Sequence, residues 1–218
     1  MITQKYITFF KGLEKNNNLE WFHGHKKEYE KDVKGPFLTL LENLIPEIEK
    51  LEPMISSNPK DALFRINRDV RFSKDKTPYN TLLKAGFSPG GKKSKLPGFY
   101  LGISAEKVHV GGGLFTINGP DLKSIRTLIS ENTEEFTQIV NSEAFITTFQ
   151  DLKGEQARRL DKSLQPILEK TSYIANKQFY AMQELPVTDH LNADKMLTTI
   201  TRAFEAIHPL NQFLKKAF

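Results

Sequence analysis

The sequence predicts an α+β fold, a central antiparallel meander packed by N-terminal and C-terminal helices. Apolar residues recur at helical spacing near both ends of the chain. Between them lie short segments that alternate with a period of two. At least one connection, Ala105-Glu106, has the length of a hairpin turn.

The elements follow in order. Tyr6, Ile7, Phe10 and Leu13 predict an amphipathic helix over Thr3 to Lys15. Asn17-Asn18-Leu19-Glu20 has the form of a capping box, with Asn17 as N-cap of a helix reaching about Val33. Trp21 and Phe22 read as its core anchors. Gly35-Pro36 is expected to break that helix and open the next, whose stripe runs from Phe37 to Leu51. Pro46 is expected to kink it or start a new segment. A loop is expected at 56–59.

From Phe64 to Phe72 the residues alternate. Phe64, Ile66, Val70 and Phe72 take one parity; Arg65, Asn67, Asp69 and Arg71 take the other. This predicts a strand with one buried face, bent near Asn67-Arg68. Ser73 to Asn80, with Pro78, is expected to be a loop. Strands follow at Leu82 to Ser88 and Gly98 to Ser104, with a mobile basic turn, Pro89 to Lys95, between them. Lys107 to Val110 returns as a strand, which Gly111-Gly112-Gly113 is expected to end. Three helices are expected over Gly119 to Leu152. A charged stretch, Ala157 to Leu168, follows, then a strand at Gln178 to Leu185. The last helix, Asn192 to Phe218, is expected to be interrupted near His208-Pro209.

Composition narrows the class. The 218 residues suit one domain, 1–218, with an ordinary hydrophobic fraction of 39% and sixteen phenylalanines for its core. No cysteine is present, which excludes disulfides, thiolate metal sites and cysteine nucleophiles and fits a reducing cytoplasm. No signal-peptide h-region or membrane-length apolar run is found, so a cytoplasmic, membrane-free protein is expected. The net charge of +5 is uneven. Lys60 to Lys95 holds ten Lys or Arg against three Asp, a local net of +7, which leaves −2 for the rest. That asymmetry suggests an anionic partner, a small molecule or a nucleic acid.

The candidate site is the stretch from Phe64 to Tyr79. Arginine presents a planar fork of donors that matches carboxylate or phosphate. Arg65, Arg68, Arg71, Ser73, Lys74, Lys76 and Tyr79 are the candidate anion-binding residues. Asp69, Asp75, His109, Gly111, Gly112 and Gly113 are candidate supporting groups. The same charges could instead form an internal ion-pair network, with Asp69 and Asp75 orienting the cations. Gly86 to Lys92 has the glycine–lysine spacing of a phosphate loop. Lys93, not Ser or Thr, follows, and no clear strand–helix frame surrounds it, so nucleotide hydrolysis there is not predicted. None of the five histidines shows metal-pair spacing, and no metal is expected. No cofactor is indicated. Phe72, Tyr79, Phe87, Phe99 and Tyr100 are interleaved with the basic residues and could stack on bases, or fill the core.

These residues also carry a resemblance. The run Phe64 to Tyr79, together with Asn16-Asn17-Asn18, Glu20-Trp21-Phe22, Gly98-Phe99-Tyr100-Leu101 and Gly111-Gly112-Gly113-Leu114, resembles a bacterial family catalogued as a conserved domain of unknown function. Relatives commonly carry a lysine and a histidine where Asn80 and Leu82 stand here. The resemblance covers nearly the whole chain and implies one compact α+β domain without an established activity. Three functions stay open. They are binding of an anionic ligand, an enzyme acting on a phosphorylated substrate, and an interaction protein whose arginines serve the fold.

Overall fold

The computed structural model describes residues 1–55 and 58–218, so part of the loop expected at 56–59 lies outside the described residues. The N-terminal part is helical: α1 (Gln4–Lys15), α2 (Leu19–Gly24), the single turn α3 (Lys26–Glu28), α4 (Gly35–Leu51) and the short α5 (Pro59–Ala62). Asn18, not Asn17, caps α2, its side chain accepting from the Trp21 amide at 2.9 Å. Asn17 is engaged elsewhere.

Gly35-Pro36 does not break the chain's helical course. A π-helical turn, Tyr29–Lys34, joins α3 to α4, and Gly35 itself is helical. Pro36 has no N–H to give to a carbonyl one turn back, and a widened turn absorbs that missing bond. Pro46 likewise lies inside α4, where burial of Leu41, Leu44 and Ile48 outweighs one lost hydrogen bond.

The sheet is β1 (Leu82–Phe87), β2 (Gly98–Ser104), β3 (Lys107–Leu114) and β4 (Phe179–Pro186), in the order β1-β2-β3-β4 with every pair antiparallel. The expected meander is thus present. The glycine run corrects the expected boundary: Gly111, Gly112 and Gly113 lie within β3 and pair with both neighbours. Between β3 and β4 come α6 (Gly119–Glu131), α7 (Thr133–Val140), α8 (Glu143–Phe149) and α9 (Gln165–Leu168), and α10 (Ala193–Lys215) closes the chain. Pro209 sits inside α10 without ending it, held by buried Ile207, Leu210, Phe213 and Leu214.

One face of the sheet meets the helices. Leu83, Ala85, Phe87, Phe99, Leu101, Ile103, Val108 and Val110 point there and are buried. Phe204 of α10 packs on Phe87 and Phe99, and the Tyr6 hydroxyl of α1 donates to the Ile103 carbonyl at 2.7 Å. Helices from both ends of the chain therefore share one core with the sheet. Glu52, at the end of α4, ties that helix to α10 by accepting from Gln212 and Lys215, each at 2.6 Å. By alternation, Lys84, Gly86, Tyr100, Gly102, His109, Gly111, Gly113 and Met182 face the other way.

The residues Phe64 to Phe72 are not a strand. Their main chain meets the sheet at its start, where the preceding Leu63 bridges Ala85 and the Phe64 amide donates to the Lys84 carbonyl at 2.9 Å. Beyond that the chain turns onto itself. The Arg68 amide donates to the Pro78 carbonyl and the Asn80 amide to the Ile66 carbonyl, both at 2.8 Å. Residues 66–68 and 78–80 thus form the base of a closed loop. The apolar parity is also misleading: Ile66 is buried, but Phe72 at the loop tip is 97% exposed.

Candidate functional site

The basic loop builds its own scaffold. The Arg68 guanidinium donates to the Asp75 carboxylate and to the Thr77 carbonyl and hydroxyl. Arg71 takes Asp69 in a two-pronged contact, Nε to Oδ1 at 2.9 Å and Nη2 to Oδ2 at 2.7 Å. Lys76 donates to the Val70 carbonyl at 2.9 Å. Ser73 bonds back to Val70 through its amide at 3.3 Å, and Lys74 is exposed. Tyr79 is buried and its ring stacks on Phe22 at 4.0 Å. Asn17 clasps the same residue, donating to the Tyr79 carbonyl at 2.9 Å and accepting its amide at 3.1 Å. The loop cations therefore do not converge on one hollow. Arg68 and Arg71 are held in ion pairs inside the loop, which hold loop to loop rather than sheet to helices.

The Asp75 carboxyl is held down to about 2, first by the Thr77 amide and then by Arg68 and the Thr77 hydroxyl. Its folded value lies below its ordinary 3.8, so the favourable protonation linkage is present above 3.8 and is lost as the pH falls through about 2. An NMR titration of the Thr77 amide is expected to show its midpoint near 2. A midpoint at the ordinary carboxyl value would mean that the Arg68–Asp75–Thr77 cluster does not form in solution.

Arg65 behaves differently from the other arginines. It is exposed, and no ion pair engages it among the described residues. It stands beside Phe64, whose ring lies against the open face of the sheet. A Cβ added at Gly86 would come within 3.1 Å of that ring. Lys84 of β1 and Lys92 of the following turn flank Phe64, their Nζ atoms 5.9 and 5.6 Å from the ring centroid. Lys92 also donates to the Leu63 carbonyl at 2.6 Å.

Phe64 forms one wall of a groove of about 840 Å³ across the open sheet face. Lys84, Lys92, Lys93 and Lys95 line it, with no carboxylate among its lining residues. Tyr100 and Phe115 supply further aromatic surface, their rings 5.7 Å apart. Gly86, Gly98 and Gly113 leave its floor close to bare backbone. The turn carrying the lysines is tied by Gly91 N–H to the Ser88 carbonyl, Ser94 N–H to the Gly91 carbonyl and the Ser88 hydroxyl to the Leu96 carbonyl. No helix follows Lys92, so the glycines there do not frame a phosphate loop.

His109 lines the same groove, with Nδ1 3.5 Å from a Glu184 oxygen. Burial holds its imidazole below the usual histidine value, with Glu184 opposing and Lys107 assisting. A neutral imidazole in that position can accept a proton. Gly111 and Gly112 serve the strand pairing, and Gly113 reaches both strand and groove. Among the described residues no group of three or more His, Asp or Glu could hold a metal ion. No helix among them is long and apolar enough to cross a membrane.

Sequence reasoning singled out the loop and passed over the groove. In the sequence Phe64 reads as a core residue, Lys84 enters only the charge count, and Lys92, Lys93 and Lys95 read as a basic turn whose phosphate-loop spacing is incomplete. One signal was available: Lys84 and Gly86 take the parity opposite to Leu83, Ala85 and Phe87, which puts a lysine and a gap on the uncovered face.

The fold and groove define an α+β protein with a basic, aromatic cleft on the free face of a four-stranded meander. A family model described as conserved hypothetical protein (DUF2461) matches residues 5–213, and the chain belongs to that family. No curated protein matches the sequence.

Proposed function

We propose that the chain acts as one α+β unit that binds an anionic, phosphorylated ligand in the groove beside Phe64. Lys84, Lys92, Lys93 and Lys95 contact its charges, and Arg65 approaches from the loop. The observation that supports this is the lining itself: four lysines around an open hollow with no carboxylate in its lining, only Lys95 of the four being ion-paired among the described residues, with Asp121 at 3.7 Å. A solvated basic face would scatter its cations over a convex surface. Here they share a concavity with three aromatic rings, and a cleft lined by one sign of charge focuses its field on a bound anion. Arg68 and Arg71 take a supporting role, since each already holds an aspartate.

Calorimetric titration with ATP and with pyrophosphate at low salt tests the reading. Binding is expected, weakened at least about tenfold by Lys84→Glu and again by Lys93→Glu, since bonds to charged groups contribute about 1.5–3 kcal/mol. Absence of binding by either probe, or binding indifferent to both substitutions, overturns it. A second reading, proton transfer on the bound ligand, is favoured by His109 on the groove wall with Glu184 behind it.

A further inference from the structure

Three hollows meet at Phe64. The sheet groove is the largest. A second, of about 520 Å³, runs toward α2 and the π-helical turn past Arg65, His23, Lys26 and Lys34. A third, of about 330 Å³, lies between Arg65, Asn67, Asn80 and Lys84. Lys92 borders the first and second, Lys84 the first and third, and Arg65 the second and third. The result is one track past Phe64, with cations spaced along it rather than gathered at one end.

The carboxylates beside this track are engaged. Glu30, in the second hollow, pairs with Lys34 at 2.8 Å. Asp69, in the third, pairs with Arg71 at 2.7 Å. Lys95 likewise pairs with Asp121 at 3.7 Å, which leaves Arg65, Lys84, Lys92 and Lys93 without an ion-pair partner among the described residues, with aromatic steps at Phe64, Tyr100 and Phe115. The sheet groove alone reaches from β1 to Met182 of β4. That is three inter-strand spacings, roughly 14 Å, against about 3.4 Å per nucleotide along a stacked strand. A mononucleotide would leave most of the path empty.

We infer that the ligand of this site is a single-stranded nucleic acid, its phosphates on the lysines and Arg65 and its bases against Phe64, Tyr100 and Phe115. This rests on the anion-binding reading above and names the class of anion. Base stacking on aromatic rings combined with a basic groove is a general means of holding single strands without regard to sequence. Phe64 and Tyr100 are half-buried in the lining of the groove, and stacking on such rings needs an unpaired base, since a duplex keeps its bases stacked and paired inside. The cation–π contacts of Lys84 and Lys92 with Phe64 that a stacked base would displace contribute only about 0.5–1 kcal/mol each near the surface.

Fluorescence anisotropy with labelled twelve-residue oligo-dT, oligo-U and a duplex of equal length is the test. Both single strands are expected to bind, at least about tenfold tighter than the duplex. The slope of log K against log salt is expected near −2 to −3, as for three to four phosphates at about −0.7 each. A preference between oligo-dT and oligo-U identifies DNA or RNA as the source of the strand. Phe64→Ala is expected to weaken binding about tenfold or more, from the loss of one stacked base. Should that variant fold poorly, Phe115→Ala, at an exposed ring, and Lys93→Glu, at an exposed side chain, are expected to weaken binding in the same way. If ATP and pyrophosphate bind but the oligonucleotides do not, or the duplex binds as tightly as the single strands, the inference falls and the anion-binding reading stands. If none of the probes binds, both fall.

Discussion

Gly113→Ala is expected to destabilise the protein strongly, because strain and a backbone clash act together there. Gly113 has φ +108, a region that side chains other than glycine rarely adopt. An added methyl would sit 2.7 Å from the Tyr180 Cα and inside contact of the Phe179 carbonyl oxygen, both backbone of the neighbouring strand. Neither can yield without moving β4. The conformational strain costs about 1–3 kcal/mol and the forced shift about as much again, so a loss of roughly 3 kcal/mol or more is expected. For a chain of this size that lowers Tm by about 6 °C at least. Gly119→Ala is the matched control, because an added methyl there meets nothing within 4 Å. A thermal melt in which the two variants behave alike would contradict the strand register at Gly113.

The second large effect is expected at Asn17. Its side chain makes both backbone bonds of Tyr79, which is buried. Asn17→Ala leaves an amide and a carbonyl without partners, and an unsatisfied buried group costs about 1–3 kcal/mol. A loss of roughly 2–4 kcal/mol is expected by urea denaturation. Asn18→Ala removes only a helix cap and is expected to cost about 1 kcal/mol. The two asparagines are adjacent, so the difference isolates the clasp from the cap. Equal losses would mean that Asn17 acts as a cap after all.

The contrast also shows where the sequence was legible. Hairpin strands declared themselves through Phe99, Leu101 and Ile103, then Val108 and Val110, because one buried face imposes a period of two. The terminal helices were equally plain from their apolar stripes. Phe64 to Phe72 carried the same alternation without a sheet partner for most of its length. Its geometry comes from side chains meeting the backbone across the loop and from Asn17 far upstream, and neither leaves a periodic trace. The prolines misled for a related reason. Pro46 and Pro209 are poor helix residues locally, but the burial of their neighbours decides the matter. As for the site, residue type pointed to the right region and the wrong members. Arg68 and Arg71 are conspicuous in sequence, yet each has an aspartate within seven positions that holds it. Lys84, Lys92 and Phe64 become neighbours only because Leu63 pairs with Ala85 and the turn after β1 folds back.

The clasp between Asn17 and Tyr79 has a kinetic side as well. It joins residues 62 positions apart. Closing so long a segment costs chain entropy that two hydrogen bonds cannot repay alone. The bonds can hold only once α1 and β1 are already docked on the common core. The loop that carries Arg65 and positions Phe64 beside the groove is therefore expected to be completed late in folding, after the sheet it serves, so that Asn17→Ala should speed unfolding and leave the folding rate nearly unchanged.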